Sequence, residues 1–180
     1  MNTADTPSWR EESAGLQAPH LLLMRETLPA DNAEDGATAG LLLLWLGDDA
    51  LKLVNERLAE HGLSENKLQV LMLFLLQEKG CFGDDTPTPS SIANYCGITR
   101  ASATGLLDWL EKRGLIARTP HPTDRRSLQL KLTDQARTVL GDALPGFWRS
   151  CSALTDALDA QEKSQLLTLL AKMWNATQAR

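Results

Sequence analysis

The chain has 180 residues, 43% hydrophobic and 5% aromatic, which leaves room for one ordinary domain, or a small domain with added elements that associate with another chain. This leucine-rich, globular composition resembles that of helical proteins and excludes a disordered chain. The formal net charge of −5 is uneven: residues 1–90 carry 6 Lys/Arg against 15 Asp/Glu, residues 91–140 carry 8 against 4, and residues 141–180 carry 4 against 4.

The opening "MNTADTPSWREESAG" lacks the basic start and long apolar stretch of a signal peptide, and "LLLLWL" (Leu41 to Leu46) is far below the roughly 20 residues needed to span a bilayer. A soluble, cytoplasmic protein with no membrane partner is expected. Residues 1–15 are expected to be disordered, and "PHLLLMRETL" reads as an added helix or arm. In "TAGLLLLWLGDDALKLVNERLAEHG", Leu51, Val54 and Leu58 form a helical stripe.

The segment "SENKLQVLMLFLLQEK" opens on Ser64, a candidate N-cap, and ends at Gly80. Its nearly continuous apolar run from Leu68 to Leu76 predicts a helix over about 64–79 that is buried on most sides. A Gly/Asp/Pro loop follows. Thr88 can then cap a helix whose first residue is Pro89, and Gly97 can end it near residue 96 in the left-handed conformation. Cys96 falls on the inward face with Ile92 and Ala93. Thr99 is the next cap, and from it Ala103, Leu106, Leu107 and Leu110 make one stripe while Arg100, Ala101, Ser102, Thr104 and Asp108 lie off it. Two helices meeting at a glycine turn form a helix-turn-helix, the second running over about 99–113.

Gly114 stops that helix, and "LIARTP" and "SLQLKLT" are strand candidates that place a β-hairpin over about 116–132. Leu128, Leu130 and Leu132 alternate with Gln129 and Lys131, so the leucines should face inward and the polar residues outward. His121 to Arg126 make the tip, which identifies a winged helix. A projecting hairpin can carry a guanidinium into the minor groove while the preceding helix enters the major groove. Asp124 is placed to pair with Arg125 or Arg126, leaving the other for DNA. Arg100, Arg118 and Lys131 extend the positive surface.

In "DQARTVLGDALPGFWRSCSALTDAL", Pro145 and Gly146 should kink or interrupt the helix. Asp159 and Glu162 have capping-box spacing, and Leu166, Leu167, Leu170 and Met173 then define an apolar face. A small winged domain cannot cover such stripes at both ends of the chain, so they predict an interface with a second copy. A two-fold dimer would read a pseudo-palindromic site. The expected fold is thus mainly α with a small β wing (α+β). It comprises a winged helix-turn-helix over residues 63–133 and a helical dimerisation domain formed by both termini, residues 16–62 and 134–180.

Three cysteines, Cys81, Cys96 and Cys151, with no close pair, and three scattered histidines argue against a disulfide framework or metal site, and nothing calls for a cofactor. No nucleophile motif or phosphate loop suggests an enzyme.

The stretch "SSIANYCGITRASATGLLDWLEKRGLIARTPHPTDRRSLQLKLTDQA" resembles the DNA-binding core of MarR-family transcription regulators: recognition helix, "LEKRGL" corner and "DRR" wing followed by "LT" occur in the same order. The flanking segments are similar to the multidrug-efflux repressor subgroup. The resemblance implies that Arg100, Ala101, Ser102 and Thr104 meet the major groove, and that the wing residues Asp124, Arg125 and Arg126 bring Arg125 into the minor groove. Gly105 and Trp109 depart from the family pattern, where longer polar or basic residues are frequent. The resemblance also implies a repressor released by a small aromatic or phenolic effector held between the dimer helices and the winged lobe. Trp45, Phe74, Tyr95, Trp109, Phe147 and Trp148 are the aromatic residues available for it. Two other readings stand beside this one: a winged-helix protein-interaction adaptor without DNA binding, and a regulator controlled by thiol oxidation at Cys81 or Cys151.

Overall fold

The computed structural model describes residues 19–81, 87–120 and 128–179, and its chain divides into two compact units, residues 1–49 and 50–180. The N-terminal residues expected to be disordered lie outside the described residues, as does the wing tip from His121 to Ser127.

In the first unit, "PHLLLMRET" forms helix α1 (Pro19–Thr27), and α2 (Glu34–Ala59) begins. Arg25 Nε donates to Glu34 Oε1 at 2.9 Å, fastening the end of α1 to the start of α2. Leu21 is buried, but Leu22, Leu23, Leu43, Leu44 and Leu46 are exposed. The leucine run is therefore largely uncovered within one chain.

The second unit is organised around α3 (Glu65–Glu78), whose Leu68, Val70, Leu71, Leu73 and Phe74 are buried. Such a helix needs apolar neighbours on several sides, and it packs against α4 (Pro89–Cys96), α5 (Arg100–Lys112), strand β2 (Leu128–Leu132) and α6 (Asp134–Ala153). The later part of α2 adds Val54 and Leu58 to this core, whereas Leu51, expected on the same stripe, is exposed. Strand β1 (Ile116–Pro120) pairs antiparallel with β2, Ile116 opposite Leu132 and Arg118 opposite Leu130. Helix α7 (Ala160–Gln178) closes the chain. Its N-terminus has the expected capping box: Asp159 Oδ1 accepts from the Gln161 and Glu162 amides, and the Glu162 carboxylate accepts from the Asp159 amide. No described helix is long and apolar enough to cross a membrane.

Three local expectations need correction. Ser64 has the extended backbone of an N-cap but makes no side-chain capping bond. The Glu65 amide donates instead to Asn55 Oδ1 at 2.8 Å, so a side chain from α2 caps α3 and couples the two helices. On β2, Gln129 is buried at 8% exposure and Leu130 only partly covered. The Gln129 side-chain Nε2 donates to the Pro120 carbonyl, so a partner inside the hairpin lets a polar side chain be covered, and the Gln129 backbone carbonyl accepts from Thr119 Oγ1. Finally, α6 runs unbroken through Pro145 and Gly146. Proline removes one ladder bond, to the Gly141 carbonyl, but Gly141 is exposed and water can serve that oxygen. Tertiary packing favours continuity: Ala136, Leu140, Ala143, Gly146 and Ser150 form the buried stripe of α6. A Cβ at Gly146 would meet Arg57 Cγ at 3.4 Å, an ordinary van der Waals contact, so this stretch of α6 lies against the Arg57 side chain of α2.

Candidate DNA interface and adjoining cavity

Helix α4 is set by a capping box in which Thr88 Oγ1 accepts from the Ser91 amide and Ser91 Oγ accepts from the Thr88 amide, with Pro89 at the first helical position. Gly97, with φ of 63°, ends it in the left-handed region where a side chain would be strained. Ile98 alone separates that glycine from Thr99, whose hydroxyl accepts from the Ser102 amide at 3.1 Å and starts α5. The corner between α4 and α5 is thus fixed by caps at both of its ends.

Ala103, Leu107 and Leu110 are buried, which anchors one side of α5 in the core. Arg100, Ala101, Ser102 and Thr104 are exposed on the other. Among the described residues no carboxylate pairs with Arg100, so its five N–H donors face outward. The hydroxyls are engaged locally: Ser102 Oγ lies 2.8 Å from Thr99 Oγ1, and Thr104 Oγ1 donates to the Arg100 carbonyl at 3.0 Å. Each oxygen keeps acceptor capacity for a donor on a nucleic acid base. A Cβ on the exposed Gly105 would meet nothing within 4 Å, so α5 presents a low surface beside this polar row.

The wing supplies less charge at its base than the residue count suggests. Arg118 forms a two-pronged pair with Glu111, Nε to Oε1 at 2.9 Å and Nη2 to Oε2 at 3.2 Å, which raises its pKa further. That pair braces β1 against α5 and neutralises a cation expected to face the groove. Lys131 is exposed on β2. Asp124, Arg125 and Arg126 lie outside the described residues.

Thr133, unremarked in the sequence beyond closing the wing, holds the hairpin in place. Its hydroxyl donates to the Gly114 carbonyl at 2.7 Å and accepts from the Ala136 amide at 3.1 Å, and its amide donates to the Leu115 carbonyl. One residue therefore caps α6 and ties the exit of the wing to the end of the recognition helix.

The six aromatic residues separate into different environments. Phe74 is fully buried in the core. Trp109 has Lys67 Nζ 3.8 Å from its ring centroid and the Arg113 guanidinium at 5.5 Å, so it serves as a cation-binding plate between α3 and α5. Trp45, in the first unit, packs edge-on against His20. Tyr95, Phe147 and Trp148 come together around one cavity of about 190 Å³. Leu68, Met72 and Leu73 of α3 form its apolar wall, and Glu65 and Gln69 supply polar groups. These five residues were missed in the sequence, although positions 65, 68, 69, 72 and 73 recur at the spacing of one helical face. Burial raises the pKa of Glu65 against the opposing effect of its hydrogen bond from Gln69.

Burial also pushes the Cys96 and Cys151 thiols up, the first with a contribution from Glu65, which disfavours their reactive thiolate forms. Cys81 is exposed. Among the described residues, no group of His, Cys, Asp or Glu could hold a metal ion.

The MarR family profile matches residues 66–128, the span from α3 to the start of β2. The transcriptional repressor YetL of Bacillus subtilis (strain 168) is 31% identical over 141 residues, covering 76% of this chain and 81% of YetL. The transcriptional repressor MprA of Escherichia coli (strain K12) is 33% identical over 132 residues, covering 73% and 72%. Among solved structures, the repressor CouR bound to a 23-mer DNA duplex shares 30% identity at a TM-score of 0.61, covering 74% of this chain and 90% of CouR. CouR of Rhodococcus jostii RHA1 bound to p-coumaroyl-CoA shares 27% at 0.59, covering 75% and 90%. The capped helix corner, the exposed row on α5 and these relatives lead to one conclusion: the chain belongs to the MarR family and is a winged helix-turn-helix, DNA-binding transcriptional regulator.

Proposed function

We propose that the chain is a repressor that grips a pseudo-palindromic operator as a homodimer in the cytoplasm, acts by binding rather than catalysis, and lets go when a small aromatic effector enters the Tyr95–Phe147–Trp148 cavity. The observation that carries this reading is the two-sided character of α5, anchored by Ala103, Leu107 and Leu110 while Arg100, Ala101, Ser102 and Thr104 remain exposed. A guanidinium that has no carboxylate partner among the described residues, at the exposed start of that helix, suits a polyanion better than a protein-only adaptor. Wing residues Asp124, Arg125 and Arg126 complete the DNA surface, with Arg125 in the minor groove.

Dimerisation is supported by apolar surface that one chain leaves open. Helix α7 has no buried residue, and Leu167 and Trp174 are 68% and 67% exposed. Separately, Leu44 and Leu46 in the first unit are 68% and 65% exposed. A second copy gives these residues a place to be buried. The terminal segments, residues 16–62 and 134–180, then form the dimerisation domain around a DNA-binding core of residues 63–133. The repressors YetL and MprA, and the capture of CouR both on DNA and with p-coumaroyl-CoA, favour the same division of labour. An effector that prefers a dimer whose α5 helices no longer match one turn of duplex lowers DNA affinity by that preference.

Selection of bound genomic fragments tests the proposal. Recovery of an inverted repeat is expected, with affinity at least about 10³-fold above random duplex at the same salt concentration. Binding that favours no sequence by more than about tenfold would overturn it.

A further inference from the structure

The cavity on α3 is lined by one acidic side chain, Glu65, one amide, Gln69, and otherwise apolar and aromatic residues. Leu68, Met72 and Leu73 make the wall, Tyr95, Phe147 and Trp148 complete it, and among the described residues neither Lys, Arg nor His lines it. Phe147 and Trp148 meet edge-on with centroids 4.7 Å apart, so the aromatic wall has a defined shape. Its volume of about 190 Å³ suits a single ring with a short tail; a benzene-binding protein cavity of about 150 Å³ gives the scale.

From this lining we infer that the effector class is an aromatic amine, a ring bearing a short protonated amino tail that meets the Glu65 carboxylate, and that aromatic carboxylates are disfavoured. This rests on the proposed effector role of the cavity. Glu65 sits at the first position of α3, with its amide held by Asn55 and its carboxylate accepting from Gln69. A carboxylate has about four acceptor sites, so Gln69 leaves room for an ammonium donor. Partial burial already disfavours the charged form of Glu65, as its raised pKa records. A cation relieves that burden; a ligand carboxylate adds a second negative charge inside a small cavity with no cation in its lining. An aromatic lining adds in the same direction wherever a ring offers its face, because the negative face attracts an ammonium and repels an anion.

Three ligands of similar size separate the effects at neutral pH: 2-phenylethylamine as the cation, 2-phenylethanol as the neutral form and phenylacetate as the anion. Calorimetry on the full chain should show the amine binding at least about tenfold more tightly than either of the others. Glu65→Gln should reduce that advantage to within about threefold while the alcohol still binds, since the apolar walls remain. Met72→Trp, which fills the cavity, should abolish binding of all three, and Trp148→Ala, which removes a wall, should weaken all three; circular dichroism checks that each variant is folded. Phenylacetate binding as tightly as the amine, or an amine advantage that survives Glu65→Gln, overturns the inference and leaves the cavity itself as an effector site. Failure of all three ligands to bind, or binding indifferent to both cavity variants, removes the effector role of the cavity and the inference with it.

Discussion

Deleting residues 159–180 is expected to leave the chain monomeric or aggregated and to weaken operator binding by at least about 100-fold, because two half-sites are no longer held by one linked body. The hydrophobic core contains no residue of α7; it runs from Val54 on α2 to Ala143 on α6. Removing the helix therefore leaves the hydrophobic core of the second unit in place, and the far-ultraviolet spectrum of the winged core should persist in proportion to its length. What is lost is the surface formed by Leu167, Leu169, Leu170, Met173 and Trp174, all of them exposed in one chain. Contacts buried between copies stabilise the folded protomer by mass action, so its thermal midpoint should fall and lose its dependence on protein concentration. Sedimentation equilibrium and anisotropy on the recovered operator read both effects. A truncated chain that remains a dimer with undiminished affinity would show that α7 is not the seam.

Replacing Arg125 with alanine should weaken operator binding by at least about tenfold per wing, on the order of 1.4 kcal/mol, and by about the square of that factor when both wings of a dimer are altered. Folding and dimerisation should be unaffected, since a charged arginine in the polar segment between the strands contributes no apolar core, and among the described residues the hydrophobic core enters the wing through Ile116, Leu130 and Leu132. The slope of log affinity against log salt should flatten by up to about 0.9 for each phosphate neutralisation lost. Arg125→Lys separates charge from shape. Lysine keeps the cation but lacks the planar fork of donors, so it should recover nonspecific binding more fully than binding to the true site. Anisotropy at several salt concentrations measures both quantities. If neither variant changes affinity or slope, the contact passes to Arg126 or to Arg100 on α5, because Arg118 is already committed to Glu111.

The parts of this fold written in local sequence were readable from it. Thr88 with Pro89 and Ser91, Gly97, Thr99, and Asp159 with Glu162 are caps whose partners lie within four residues, and each behaves in space as its spacing implies. The buried run of α3 and the inward stripe of α5 were equally plain, because helical periodicity alone places them. What escaped was set by partners distant in sequence. Asn55 caps a helix that begins ten residues later, Thr133 bonds a carbonyl nineteen residues earlier, and Arg137 pairs with Glu78 fifty-nine residues away. Pro145 departs from expectation for the same reason: propensity predicts a break, while the buried stripe of α6 that runs through Gly146 to Ser150 depends on neighbours distant in sequence. Among the aromatics, composition could name the six residues but not sort them. Phe74 was drawn into the core and Trp109 to Lys67, and the polar residues of the cavity, Glu65 and Gln69, came from the start of a helix that otherwise reads as pure core.

In the proposed function two α5 helices, held by a two-fold dimer, read one turn of duplex at once. Anisotropy titration of the recovered operator against the same operator with about five base pairs inserted between its half-sites tests it most directly, since half a helical turn rotates one half-site to the opposite face of the DNA. Two protomers are expected on the native site, with at least about a 100-fold loss of affinity on the lengthened one. Equal affinity for the two duplexes, or saturation at one protomer per site, would contradict it.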